Sequence, residues 1–102
     1  MNLYEIALPA RDNSGKDTEQ AQAAWCARAL ELAGGYTEKP PALGVWLDKG
    51  KTYRDEMVGF QVACDAAVKD KLMAVAFELF PDQLAIFVSQ IGTATIHERA
   101  TQ

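Results

Sequence analysis

From Leu3 to Ala10 the chain alternates, with Tyr4, Ile6 and Leu8 on one side and Leu3, Glu5 and Ala7 on the other, and Pro9 closes the run. A period of two in such a stretch predicts a first strand. Arg11 to Lys16 is a dense set of turn formers ending in Asp17 or Thr18, either of which suits a helix N-cap. Ala21, Trp25, Ala29 and Leu32 then recur at helical spacing, which predicts a helix over Thr18 to Ala33 with Gly34-Gly35 as its left-handed C-terminal cap. Tyr36 to Ala42 contains Pro40-Pro41 and reads as an extended connector, because paired prolines cannot enter a helix.

Leu43 to Asp48 and Thr52 to Cys64 read as two strands joined at Asp48-Lys49-Gly50, where glycine supplies the positive φ of a tight hairpin. In the longer strand Val58, Phe60, Val62 and Cys64 face one way, and Tyr53, Asp55, Met57 and Gln61 the other. Asp65 caps a second helix whose apolar stripe is Val68, Leu72, Val75, Ala76 and Leu79, ended by Phe80-Pro81. Gln83 to Ile91, strongly apolar around Ile86, Phe87 and Val88, is expected to be a well-buried last strand, with Thr93 to Gln102 extending it or fraying.

Strand, helix, strand, strand, helix, strand is the order of the α+β ferredoxin-like sandwich: a four-stranded antiparallel sheet with both helices on one face. Residues 1–102 are expected to form one such domain. The other face of the sheet must then meet water, a ligand or another subunit. Alternation places Glu5, Ala7, Trp46, Tyr53, Asp55, Met57 and Phe87 there. Exposed aromatic area forfeits roughly 25 cal/mol per Å², so self-association into a homo-oligomer is expected, with Trp46, Met57 and Phe87 as the oligomer-face candidates.

Composition narrows the partners. An apolar fraction of 49% with 24% charged residues is that of a folded soluble protein. A net charge of −4, with scattered basic residues, argues against nucleic acid. No apolar run is long enough to span a bilayer and no basic-then-apolar leader opens the chain, so no membrane partner and a cytoplasmic location are the expectation. Cys26 and Cys64 read as buried, reduced thiols. With a single histidine, no metal site is expected, and no cofactor.

The densest polar run beside an aromatic is Tyr53-Arg54-Asp55-Glu56, close to Trp46 across the hairpin. These five residues are the ligand-binding candidates: Trp46 to stack a flat ring, Tyr53 to hydrogen-bond it, and Asp55 or Glu56 to hold a positive group. The competing reading is that alternating charges solvate a strand edge and discourage aggregation. The Arg11 to Lys16 loop precedes a helix N-terminus but lacks the glycine spacing of a phosphate loop, which favours a solvated turn. His97 has no nucleophile beside it in sequence, and no catalytic residue is assigned.

The chain resembles a group of small uncharacterised phage and prophage proteins in Arg11-Asp12-Asn13-x-Gly15-Lys16, Gly34-Gly35-Tyr36-Thr37, Gly44-x-Trp46, Gly50-Lys51-x-Tyr53-Arg54-Asp55, Val62-Ala63-Cys64-Asp65 and Leu79-Phe80-Pro81-Asp82-Gln83-x-Ala85-Ile86-Phe87. More loosely, Tyr53-Arg54-Asp55 resembles a step in the phage S-adenosylmethionine lyases, small trimers with the ligand between subunits. These resemblances imply a phage-type homo-oligomer in the host cytoplasm that binds a small molecule, such as an adenosyl compound, at a subunit interface. Their alternatives are an interaction protein that binds or inhibits a host protein, and a lyase in which the substrate's own carboxylate attacks.

Overall fold

The structure is a computed structural model and describes residues 1–100. Its elements are β1 (Asn2–Pro9), α1 (Glu19–Ala33), β2 (Thr37–Glu38), β3 (Ala42–Asp48), β4 (Lys51–Cys64), α2 (Ala66–Leu79) and β5 (Phe87–Thr93). The sheet is antiparallel, in the order β2-β4-β1-β5, with β3 also on β4. That is the ferredoxin-like arrangement read from the sequence.

The sheet has five strands rather than four because Pro40-Pro41 interrupts the second one. Thr37 and Glu38 pair with Gln61 and Phe60, and pairing resumes at Ala42 opposite Met57. Lys39 still donates its N–H to the Gly59 carbonyl at 2.8 Å, but the two prolines have no N–H to give. Three residues, Lys39 to Pro41, therefore stand opposite two, Val58 and Gly59, which bulges the edge where the hairpin begins.

Both helices end as their sequences dictate. The Asp65 carboxylate accepts from the Val68 N–H at 2.8 Å at the start of α2. Gly34, at φ 84°, takes the left-handed turn that closes α1. Thr18 occupies the cap position of α1, but its hydroxyl donates to the Pro9 carbonyl at 2.6 Å instead of capping, which ties the helix start to the end of β1. The core lies between sheet and helices: Tyr4, Ile6 and Leu8 of β1 and Val58, Phe60, Val62 and Cys64 of β4 meet Trp25, Ala29, Leu72 and Ala76. Cys26 and Cys64 are both buried and unpaired.

The last strand departs from expectation. It runs Phe87–Thr93 rather than Gln83 to Ile91, and it is largely exposed. As the sheet's edge it has β1 on one side only, and helix cover reaches Val88 but not Phe87 or Ile91. Ile91 is an extra residue, since Leu3 pairs with Gly92 and Tyr4 with Gln90.

The hairpin of β3 and the first half of β4 projects past the helices. Lys49 (φ 51°) and Gly50 (φ 77°) form its two-residue turn, the positive pair that matches the twist of a hairpin. The projection accounts for the elongated shape, 59 × 26 × 24 Å, and for a radius of gyration of 15.0 Å where a compact chain of this length would have about 13 Å.

Candidate functional site

Register settles which hairpin side chains share a face. Trp46 pairs with Tyr53, Gly44 with Asp55, and Ala42 with Met57, all on the face turned away from the helices. Leu43, Val45 and Leu47 point to the opposite face, with Arg54 and Glu56 as the partners of Val45 and Leu43. On β1 and β5, Ala7 and Phe87 are paired and belong to the same outer face as Trp46. The middle of that face is polar: Gln61 donates to the Glu5 carboxylate at 3.1 Å. The apolar part is thus confined to the hairpin end.

There the sheet curls. Although β3 and β5 lie on opposite sides of β4 and β1, the Trp46 and Phe87 rings come to 5.8 Å between centroids at a 37° tilt, within the range of favourable aromatic pairs. The indole lies along its own strand above Gly44: a Cβ at Gly44 would stand 2.7 Å from Trp46 Cζ2 and 3.3 Å from Nε1. A side chain there would displace the ring, which occupies that space.

Beneath these rings opens a cleft of about 680 Å³, lined by Trp46, Tyr53, Arg54, Asp55, Glu56, Met57 and Phe87, with Pro9, the Arg11–Gly15 loop and Gln83–Ile86 forming the rest. All five residues singled out for ligand binding and the other two oligomer-face candidates meet in this one cleft. The cleft wall contains side chains from both hairpin faces because β1 ends at Pro9, leaving the β4 edge beyond Glu56 open; the last bond across is Ala10 N–H to the Glu56 carbonyl at 2.9 Å.

The rim is built by loops. Asp12 accepts from the Ser14 hydroxyl at 2.7 Å and from the Ser14 and Lys16 N–H groups at 2.9 and 3.0 Å, which draws its carboxyl below the ordinary value. Asn13 clasps the turn after α2: its N–H donates to the Asp82 carboxylate at 2.8 Å and its amide to the Asp82 carbonyl at 3.2 Å. Arg11 reaches both sides, 3.9 Å from the Glu56 carboxylate and 3.3 Å from the Gly15 carbonyl. The Arg11 to Lys16 segment is therefore a fastened rim, a role its turn-forming composition did not reveal. Gly44 was missed too, though a glycine two positions from a tryptophan on one strand face is a readable sign of a ring lying over backbone.

His97 is exposed, 3.0 Å from the Thr95 hydroxyl, and takes no part in the cleft. Among the described residues no group of three or more His, Cys, Asp or Glu side chains is placed to hold a metal ion, and no helix is long and apolar enough to cross a membrane.

Comparison with solved structures aligns nearly the whole chain. A divalent cation tolerance protein, CutA1 from Thermus thermophilus, superposes with a TM-score of 0.71 at 15% identity, over 94% of this chain and 86% of that one. The fold is that of the CutA1 proteins. CutA1 from Pyrococcus horikoshii gives 0.66 at 19% identity over 96% and 88%. A protein described as the periplasmic divalent cation tolerance protein CutA of Archaeoglobus fulgidus gives 0.66 at 14% over 99% and 87%. The sequence itself matches no protein-family model and no curated protein.

These structures correct the family resemblance: the chain's likeness is to CutA1 proteins, not to phage proteins or phage lyases. The motifs that suggested phage kinship are mostly folding devices. Gly34 ends a helix, Gly50 turns a hairpin, Asp65 caps a helix and Asp82 closes a loop clasp. The likeness lends no support to the alternative of a host-protein partner.

Proposed function

We propose that the chain is a subunit of a homo-oligomer in which neighbouring copies cover the projecting hairpin, and that the Trp46–Phe87 cleft takes a small organic molecule at or beside that contact. The observation that carries the assembly is the hairpin's exposure: Leu43, Val45 and Leu47 stand 59%, 52% and 76% exposed in a row on one face. A two-stranded ribbon is marginal alone in water, and a continuous apolar row on it calls for a packing partner. The cleft supports the binding role because aromatic walls with a few converging polar groups are what small-molecule sites are made of.

Size-exclusion chromatography with light scattering from 1 to 100 µM tests the assembly; a mass that is a multiple of the subunit's 11.1 kDa is expected. A monomer throughout would overturn it and assign the apolar row to a different protein. For the cleft, thermal-shift measurements with organic cations, adenosine and neutral aromatic probes are expected to raise Tm for at least one class, since a ligand at a hundred times its Kd adds about 2.7 kcal/mol. The solved neighbours are described as divalent cation tolerance proteins, so Cu²⁺ and Zn²⁺ belong in the same screen; a shift with metals alone would replace the organic ligand by a cation.

A further inference from the structure

The geometry points to an organic cation of the methylammonium type as the ligand of the cleft, its charged head between the aromatic rings and Asp55. This rests on the reading of the cleft as a small-molecule site and names the chemistry of its occupant.

The first observation is the arrangement of π faces. Trp46 and Tyr53 are cross-strand partners on the outer face, and Phe87 closes on Trp46 at 5.8 Å. Three rings from three strands thus border one opening; the Lys51 ammonium already stands 5.0 Å from the Tyr53 ring centroid, so the face left for a ligand is the indole's, held over Gly44 with part of its surface toward solvent. Ring faces are electron-rich and attract a cation that has shed some of its water, which a methylated ammonium does far more readily than a metal ion or a bare ammonium.

The second observation is which charge is free. Three carboxylates line the cleft: Asp12 is held by the N–H groups and hydroxyl of its own turn, and Glu56 faces Arg11 at 3.9 Å. Asp55 has no side-chain hydrogen bond or ion pair among the described residues, and its strand partner is Gly44, the residue beneath the indole. The uncommitted carboxylate and the tryptophan ring therefore share one patch. Arg54, the uncommitted cation of the cleft, belongs by alternation to the opposite hairpin face, with Val45 as its partner. A ligand's positive head is drawn to the aromatic side and any negative tail to the Arg54 side.

The existing chain tests this directly. Isothermal titration at fixed ionic strength would compare choline with 3,3-dimethylbutan-1-ol, which has the same shape without the charge. Choline is expected to bind at least tenfold more tightly, and Asp55→Asn to remove that preference while the neutral alcohol binds as before. Trp46→Leu, which keeps an apolar wall without a π face, is expected to weaken choline more than the alcohol. Equal binding of the two compounds to the unaltered protein would overturn the cation while leaving a small-molecule cleft in place. Binding of neither, alongside a thermal shift with another probe class, would do the same; no binding by any probe would overturn both readings. Circular dichroism on each variant checks the fold, and an Asp55→Asn protein that folds yet keeps the preference counts against the proposal.

Discussion

Gly44 and Trp46 are two positions apart on one strand face, and the glycine exists in effect as the seat of the indole: a methyl group there would sit 2.7 Å from Cζ2. The contact orients the ring toward Phe87 and fixes one wall of the cleft.

Gly44→Ala is therefore expected to swing the indole outward without unfolding the protein. The residue is not at a positive φ, and the displaced ring lies at the surface, so stability should change by less than about 1 kcal/mol. Trp25 is fully buried and Trp46 partly exposed, so a red shift of the exposed component of tryptophan fluorescence reads the movement. An unchanged spectrum would show that the ring does not rest on Gly44.

The exposed row on the hairpin makes a second prediction. Val45→Lys combined with Leu47→Lys is expected to dissociate the assembly and to abolish any dependence of Tm on protein concentration. In a single subunit neither residue touches the core, so the pair should lower Tm only by what association contributed; a large fall with no change in mass would point to a role inside the subunit instead.

The rim loop carries a pH signature. The Ser14 hydroxyl and the Lys16 N–H hold the Asp12 carboxyl below its ordinary value of 3.8. A carboxylate with a depressed folded pKa stabilises the fold above its unfolded value and loses that contribution as pH falls through the folded value. Asp12→Asn should therefore be less stable than the natural chain by a constant margin from pH 7 to pH 5. The margin should narrow as pH falls below about 4. A urea-midpoint comparison at several pH values would show it; a margin that persists undiminished in acid would mean that shape, not charge, holds the loop.

How much of this was legible beforehand differs between core and cleft. The faces of β1 and β4 follow from alternation because each has one buried side, and Tyr4, Ile6, Phe60 and Val62 all lie where the pattern places them. The end of the last strand did not, because an edge strand with a bulge at Ile91 and half its side chains in water carries little periodicity to read. The cleft's hairpin residues were visible as an unexplained polar and aromatic run. Its rim was not: Asn13 and Asp82 are 69 positions apart, and nothing local in either segment announces the other. The Trp46–Phe87 contact depends on the curl of the sheet, a cumulative property of twist that alternation cannot express.

Trp25 supplies the last prediction, about what holds the platform beneath the cleft. Its ring is fully buried, 5.2 Å from Phe60, and its Nε1 donates to the Leu72 carbonyl at 3.1 Å. One side chain thus ties α1 to the sheet and to α2 at once. Trp25→Ala should cost about 3 to 5 kcal/mol, a large share of the roughly 5 to 15 kcal/mol available to a domain of this size. Trp25→Phe keeps the contact with Phe60 but gives up the indole N–H and part of the volume. The Leu72 carbonyl lies inside α2 and can keep its helical bond, so the loss should be smaller, about 1 to 3 kcal/mol. Phe60→Leu removes the other half of the aromatic pair, and because Trp25→Ala and Phe60→Leu remove one and the same contact their effects should not add: that double variant should fall short of the sum by about 0.5 to 1.5 kcal/mol. Urea unfolding followed by circular dichroism, which does not depend on the tryptophan, measures all four variants. Strict additivity would mean that Trp25 stabilises the fold through its volume and its bond to α2, with the Phe60 ring a bystander.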